Sequence, residues 1–188
     1  LISAPTGCQD YWGAVRGGVN IIQFPYTGEE VQTLSPDHVD GLQERLICVF
    51  SGKSRASAIN NWEIFKKAIE KDQHTLQVFD QIGRQAEQCG AALKAGDLTE
   101  ALRHSLAEWE LRTTLWPNIE TPETIRLRDA AKNAGAKLSR VCGAGGGGVM
   151  AVFAEPETHT AVKAALVKQG GLVLPAQVSG PGLTVFED

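Results

Sequence analysis

Five of the six residues that join two apolar segments near the C-terminus are glycine. The loop consists of Gly143, Ala144, Gly145, Gly146, Gly147 and Gly148. Because an ordered glycine loses more backbone entropy than any other residue, such a run indicates positive φ or close backbone approach. It is neither a Walker loop, which ends in Gly-Lys-Ser/Thr, nor a dinucleotide fingerprint, which opens a helix. Two interpretations stay open: a plain hairpin, and a turn whose backbone amides bind an anion.

The apolar pattern predicts an α+β protein with an antiparallel sheet and helices mainly on one face. Short apolar runs predict strands, and apolar residues at helical spacing between capping residues and glycines predict helices. The predicted strands are residues 19–24, 46–50, 139–142, 149–153, 172–178 and 183–186. The predicted helices cover residues 58–69, 76–93, 97–109, 121–135 and 156–168, and residues 10–15 can form a helical turn. Asp97 and Thr121 are the predicted N-caps of the third and fourth of these helices.

Charge and cysteine spacing exclude several classes of function. The chain has 188 residues and a formal net charge of −4, and its lysines and arginines are dispersed, which argues against nucleic-acid binding. Cys8, Cys48, Cys89 and Cys142 lack metal-ligand and redox spacing, which predicts reduced thiols in a cytoplasmic protein and no metal site. The sequence shows no signal peptide and no apolar run of membrane-spanning length.

Four segments, in the right order, resemble the GHMP kinases. The glycine loop and the strand after it resemble the third conserved motif of that family, with Arg140 where its sugar kinases have lysine. Residues 7–11 (Gly-Cys-Gln-Asp-Tyr) with 17–20 (Gly-Gly-Val-Asn) are similar to the catalytic-aspartate segment of the heptose-phosphate kinase branch. Residues 50–57 resemble that branch's entry into the C-terminal domain, and the helix around Glu108 and residues 118–122 also fit.

The resemblance implies a division of the chain and a chemistry. Residues 1–42 would be the tail of the N-terminal kinase domain, and residues 43–188 a ferredoxin-like GHMP kinase C-terminal domain. The complete enzyme would use ATP and Mg²⁺ to phosphorylate a hydroxyl of a sugar or sugar phosphate. The family's phosphate-binding loop is absent from these residues, and the chain opens without Met, so we expect a fragment of a longer protein. This chain alone should then be inactive and bind no cofactor tightly.

The same resemblance assigns roles to individual residues. Asp10 would be the catalytic residue that orients the acceptor hydroxyl and accepts its proton. Without the resemblance, an aspartate at this place is more commonly a helix N-cap or a solvated turn residue. The glycine loop and Arg140 would contact substrate or nucleotide. Ser54 and Arg55, at a predicted helix start, would hold a sugar phosphate; a helix cap and a surface cation explain them equally well.

Further expectations concern partners and the remaining side chains. The predicted partners are the missing N-terminal half and a second copy of the chain, which would cover apolar surface in residues 19–24. Trp62, Trp109 and Trp116 should be core or interface residues, whereas His104 and His159 should be solvated. The alternative function is a non-catalytic binding or interaction domain that is a remnant of such a kinase.

Overall fold

The computed structural model describes residues 8–53, 62–116, 118–143 and 145–185. A short helix and a two-stranded antiparallel sheet come first, followed by a four-stranded antiparallel sheet with helices. The strands are β1 (Val19–Gln23), β2 (Glu30–Leu34), β3 (Leu46–Phe50), β4 (Ala136–Val141), β5 (Val149–Ala154) and β6 (Leu172–Leu174). The helices are α1 (Gln9–Arg16), α2 (Leu42–Arg45), α3 (Trp62–Ile69), α4 (Gln73–Lys94), α5 (Leu98–Leu115), α6 (Pro122–Asn133) and α7 (Pro156–Lys168), with a 3₁₀ turn at Pro36–His38.

The four-stranded sheet has the order β4-β5-β3-β6, and every neighbouring pair is antiparallel. Between β3 and β4 the chain runs through helices, and between β5 and β6 it runs through α7. This is the split βαβ arrangement of ferredoxin-like domains. The predicted fold class is therefore confirmed.

The core lies between one face of this sheet and helices α6 and α7. Alternate side chains of a strand point to opposite faces, so the paired residues Val49 and Met150 face the core together. Both are fully buried, as are Leu127 of α6 and Leu166 of α7 that pack in the same cluster. Each such side chain contributes about 1.5–3 kcal/mol by its removal from water. Trp109 of α5 is buried in this cluster and Trp116 packs against it, as predicted; the Trp62 side chain lies outside the described residues.

Side-chain caps determine where three of the helices begin. The Asp97 carboxylate accepts a hydrogen bond from the Glu100 amide at 3.0 Å, and Asp72 caps α4 in the same way. Thr121 caps α6, with Pro122 at the first helical position. Proline suits that position because its amide would have no partner within the helix. The caps predicted at Asp97 and Thr121 are confirmed.

The strand predictions are wrong at the C-terminal end and incomplete near the N-terminus. β6 ends at Leu174, before Pro175, whose nitrogen cannot donate to a sheet ladder. Residues 183–185 form no strand and run beside α1 instead, with the Leu183 amide donating to the Val15 carbonyl at 3.1 Å. The structure also contains β2, which the sequence analysis did not predict.

The prediction that His104 is solvated is wrong. His104 is buried between α4 and α5, where its Nδ1 lies 2.7 Å from Oε1 of Gln85. His159 is half-buried, and burial lowers its pKa. Among the described residues, the structure contains no helix that is both long and apolar enough to cross a membrane.

Candidate functional site

The glycine loop is fastened to two other segments by backbone hydrogen bonds. The Gly146 amide donates to the Ile119 carbonyl at 2.8 Å, just before α6. The Gly148 amide donates to the Lys53 carbonyl at 2.9 Å, and the Ser51 amide donates back to the Gly148 carbonyl at 2.9 Å. The end of β3, the start of α6 and the glycine loop therefore meet at one end of the sheet.

Glycine is required in this loop by its backbone conformation. All five described glycines have positive φ, from 72° at Gly143 to 113° at Gly147. Residues other than glycine are disfavoured at positive φ because their Cβ comes too close to backbone atoms. A Cβ at Gly147 would also lie 3.1 Å from the Lys53 carbonyl oxygen. The predicted unusual dihedrals and close backbone approach are confirmed; Ala144 lies outside the described residues.

Internal bonding limits what the loop can offer to an anion. The amides of Gly146 and Gly148 are already donated to carbonyls of the protein. At most the amides of Gly143, Gly145 and Gly147 are left for a ligand among the described loop residues. In this conformation the loop is thus a hairpin fastened by hydrogen bonds to the protein, and binding of an anion by its backbone amides stays a prediction.

A cation beside the loop was overlooked in the sequence. Lys53 follows β3, its carbonyl binds the loop, and its side chain is half exposed, with Nζ 3.8 Å from Oε2 of Glu123. The pKa of the Glu123 carboxyl is lowered, chiefly by the hydrogen bond with the Thr121 side chain and to a smaller extent by Lys53. Lys53 could have been identified from the sequence, because it lies in residues 50–57, which resemble the heptose-phosphate kinases.

Asp10 lies in the first turn of α1 and is exposed. Within the described part of the chain, no hydrogen bond or ion pair joins Asp10 to the glycine loop. Its assignment as the catalytic residue stays a prediction. Ser54 and Arg55 lie outside the described residues, so their predicted roles also stay predictions.

Arg140 is held by α5 rather than aimed at the loop. Its Nη1 is 2.8 Å from Oε2 of Glu108 and donates to Oγ of Ser105 at 3.0 Å. The guanidinium also lies over the Trp109 ring, 5.4 Å from the centroid. Glu108 in turn pairs with Arg112 at 2.7 Å. The role of Arg140 in ligand binding stays a prediction, and its contacts in this structure serve the packing of α5 on β4.

Two depressions on the described surface lie away from the predicted site. The larger, about 390 Å³, lies on the α4–α5 hairpin, and the smaller, about 220 Å³, lies between the β1–β2 hairpin and α4. The described residues also include no cluster of three or more His, Cys, Asp or Glu side chains suited to a metal.

A pair of glycine substitutions tests how tightly the loop is fastened. Gly147→Ala should lower the free energy of unfolding by about 2–3 kcal/mol, because it adds backbone strain and crowds the Lys53 carbonyl. Gly28 has a similar φ, 120° against 113°, but open space around a Cβ, so Gly28→Ala should cost only about 1 kcal/mol. Urea denaturation of both variants measures the difference. Equal losses would show that the loop is not packed against Lys53.

Comparison with known proteins finds similarity to small-molecule kinases. The family described as GHMP kinases C terminal matches residues 90–172. A D-glycero-alpha-D-manno-heptose 7-phosphate kinase of Campylobacter jejuni subsp. jejuni serotype O:2 is 26% identical over 172 residues, which cover 89% of this chain and 50% of that protein. The chain therefore spans about half the length of this relative.

Solved structures of several small-molecule kinases share the fold of this chain at low sequence identity. L. major mevalonate kinase in complex with R-mevalonate superposes with a TM-score of 0.71 and 19% identity, over 89% of this chain and 50% of that one. A D-glycero-D-manno-heptose 1-phosphate kinase from Bacteroides thetaiotaomicron gives 0.64 and 23%, over 97% and 50%. Residues 90–172 thus match the C-terminal family of GHMP kinases, and the chain has the fold seen in the corresponding half of these kinases.

Proposed function

We propose that this chain is part of an ATP-dependent kinase that phosphorylates a hydroxyl of a sugar or sugar phosphate, as the heptose-phosphate kinases do. The observation that carries the proposal is the 26% identity to a heptose 7-phosphate kinase along 89% of the chain. The superposition on a heptose 1-phosphate kinase over 97% of the chain supports it. Because the chain spans half of each relative, the proposal concerns the complete protein.

In the proposed reaction, the acceptor hydroxyl oxygen attacks the γ-phosphorus of ATP. The bond from that phosphorus to the β–γ bridging oxygen breaks, ADP leaves, and the hydroxyl proton passes to the Asp10 carboxylate. Such transfers depend on positioning and charge stabilisation more than on covalent chemistry by the protein. Asp10 would therefore both hold the acceptor in line and accept the proton of its hydroxyl.

The glycine loop and Lys53 would serve the charged groups of the ligands. Lys53 places a half-exposed cation beside the loop, and a cation there favours phosphate. The loop's remaining amides can add hydrogen bonds at the same place. We propose Ser54, Arg55 and Arg140 as further contacts, with Arg140 requiring release from Glu108 to reach a ligand.

The chain by itself should not transfer phosphate. Its 188 residues contain no phosphate-binding loop of the family's type, and the described residues hold no magnesium cluster. ATP and Mg²⁺ would act in the complete enzyme, with the N-terminal half as the partner that binds them. We propose a cytoplasmic location, and a homodimer of the isolated chain through exposed apolar residues such as Phe24.

Acceptor-dependent ADP release tests the function. The full-length gene product should release ADP with heptose or hexose phosphates or the free sugars, and purified residues 1–188 should release none. Mevalonate and homoserine serve as control acceptors and should support little turnover. Binding of a sugar phosphate without any ADP release by the full-length product would favour the non-catalytic remnant. ADP release by residues 1–188 alone would contradict the proposal that the N-terminal half is needed to bind ATP and Mg²⁺.

A further inference from the structure

Helix α1, which carries Asp10, has little of its own to hold it in place. It has eight residues, none of them buried, and its N-cap Cys8 makes no side-chain capping bond. Isolated helices of this length are unstable in water, because the free-energy cost of nucleating a helix exceeds the stabilisation from so few hydrogen bonds. The position of Asp10 therefore depends on what the rest of the chain does to α1.

The C-terminal segment, defined here as residues 175–185, crosses the end of α1. The Leu183 amide donates to the Val15 carbonyl at 3.1 Å, and the Gly18 amide donates to the Ser179 carbonyl at 2.7 Å. One bond thus lies on each side of the α1 C-cap, Gly17. Two crossing backbones are held together at this point.

The crossing leaves no room for a Cβ on either backbone. A Cβ on Gly182 would overlap the Val15 carbonyl oxygen and lie 2.6 Å from the Arg16 carbonyl carbon. A Cβ on Gly17 would lie 2.5 Å from the Gly180 carbonyl oxygen. All of these are backbone atoms, which cannot move aside as a flexible side chain can, so the close approach requires glycine.

Gln43 ties the same segment to the C-terminal domain. This residue belongs to α2, directly before β3. Its Oε1 accepts from the Val178 amide at 2.6 Å, and its Nε2 donates to the Ala176 carbonyl at 3.4 Å. The C-terminal segment is thus bonded to α2 at one end and to α1 at the other.

We propose that the C-terminal segment positions α1, and with it Asp10, relative to the C-terminal domain. Gly182 and Gln43 are positioning residues: neither touches the reacting atoms, and both act through the placement of α1. The catalytic part of this inference rests on the proposed function of Asp10. A loosened α1 should lower turnover far more than substrate affinity, since misplacement of a catalytic group by about 1 Å can cost about a hundredfold.

Hydrogen exchange on residues 1–188 tests the structural part, with no need for activity. Gly182→Ala should speed exchange of the amides in residues 13–19 at least tenfold and leave those of β3 and β5 unchanged. Gly180→Ala is the matched control: it lies in the same segment, and its Cβ would meet only Pro36, at 3.9 Å. The backbone amides of the Gly180→Ala variant should exchange at the same rates as those of the unaltered chain. Unchanged exchange in Gly182→Ala, or equal loosening of β3, would overturn the proposal.

Kinetics of the full-length gene product tests the catalytic part. Gly182→Ala and Gln43→Leu should lower kcat about tenfold or more while KM changes less than threefold. Gln43→Glu keeps the acceptor for the Val178 amide and should restore most of the turnover. Unchanged kcat together with faster exchange in residues 13–19 would overturn the positioning role and leave the kinase function standing. If the unaltered product shows no phosphate transfer, the kinase function fails, and exchange still decides whether the segment fixes α1.

Discussion

Asp10→Asn should lower the turnover of the full-length gene product about a hundredfold or more, with little change in KM. The amide has the size of the carboxylate but cannot accept the proton of the acceptor hydroxyl. Asp10 is exposed in the first turn of α1, whose N-cap is Cys8, so the fold should tolerate the change. Steady-state kinetics with the best acceptor measures the effect, and a thermal melt should coincide with that of the unaltered protein.

Asp37→Asn is a suitable control for that experiment. Asp37 is likewise exposed in the first turn of a short helical element, the 3₁₀ turn at Pro36–His38. The Asp37→Asn substitution should leave turnover unchanged. Turnover near the unaltered value in Asp10→Asn would remove Asp10 from the reaction, and with it the mechanism proposed here.

Glu108→Ala should lower the free energy of unfolding by about 2–3 kcal/mol. Glu108 is 8% exposed and pairs with Arg140 and Arg112, so its removal leaves two cations without their carboxylate. Breaking a fully buried pair costs about 3–5 kcal/mol, and the partial exposure of both arginines reduces that figure. Urea denaturation should show the loss with an unchanged m-value, and the melting temperature should fall by about 5–10 °C.

Two further variants separate the ion pairs from a general effect on α5. Glu110→Ala changes an exposed residue two positions along the same helix and should alter stability by less than about 0.5 kcal/mol. Arg140→Leu combined with Glu108→Ala should cost less than the two single changes added, because each removes the partner of the other. Strict additivity would show that the pair contributes nothing.

The order of elements was predictable because each depends on local signals. The short, continuous apolar runs of β3 and β5, the caps at Asp97 and Thr121, and the glycines between strands act over a few residues. β2 was missed because three of its five residues are exposed and polar, so it lacks an apolar run. The strand predicted at residues 183–186 failed for the opposite reason: Leu183 and Val185 are apolar but exposed, and the Leu183 amide bonds to α1 instead.

The site was less predictable because its contacts join distant parts of the chain. The glycines predicted an unusual loop. The hydrogen bond from the Gly146 amide to the Ile119 carbonyl joins residues 27 positions apart, so the local sequence pattern could not predict it. Arg140 is engaged by Glu108 through a contact of the same kind, and His104 is buried because α4 and α5 pack together. Sequence pattern indicates where unusual backbone lies, whereas packing decides which polar groups are left for a ligand.

The sheet order also has a consequence for synthesis on the ribosome. β3 lies between β5 and β6, and Leu46 pairs with Phe153, more than a hundred residues later. At about 5–20 residues per second, β3 waits roughly 5–20 s for its first partner strand. Helices α4 to α6 can form from local contacts in that interval, but Leu46–Phe50 stays an unpaired apolar strand. Chaperone demand and aggregation during expression should therefore depend on this strand, and slower translation should lengthen its exposure.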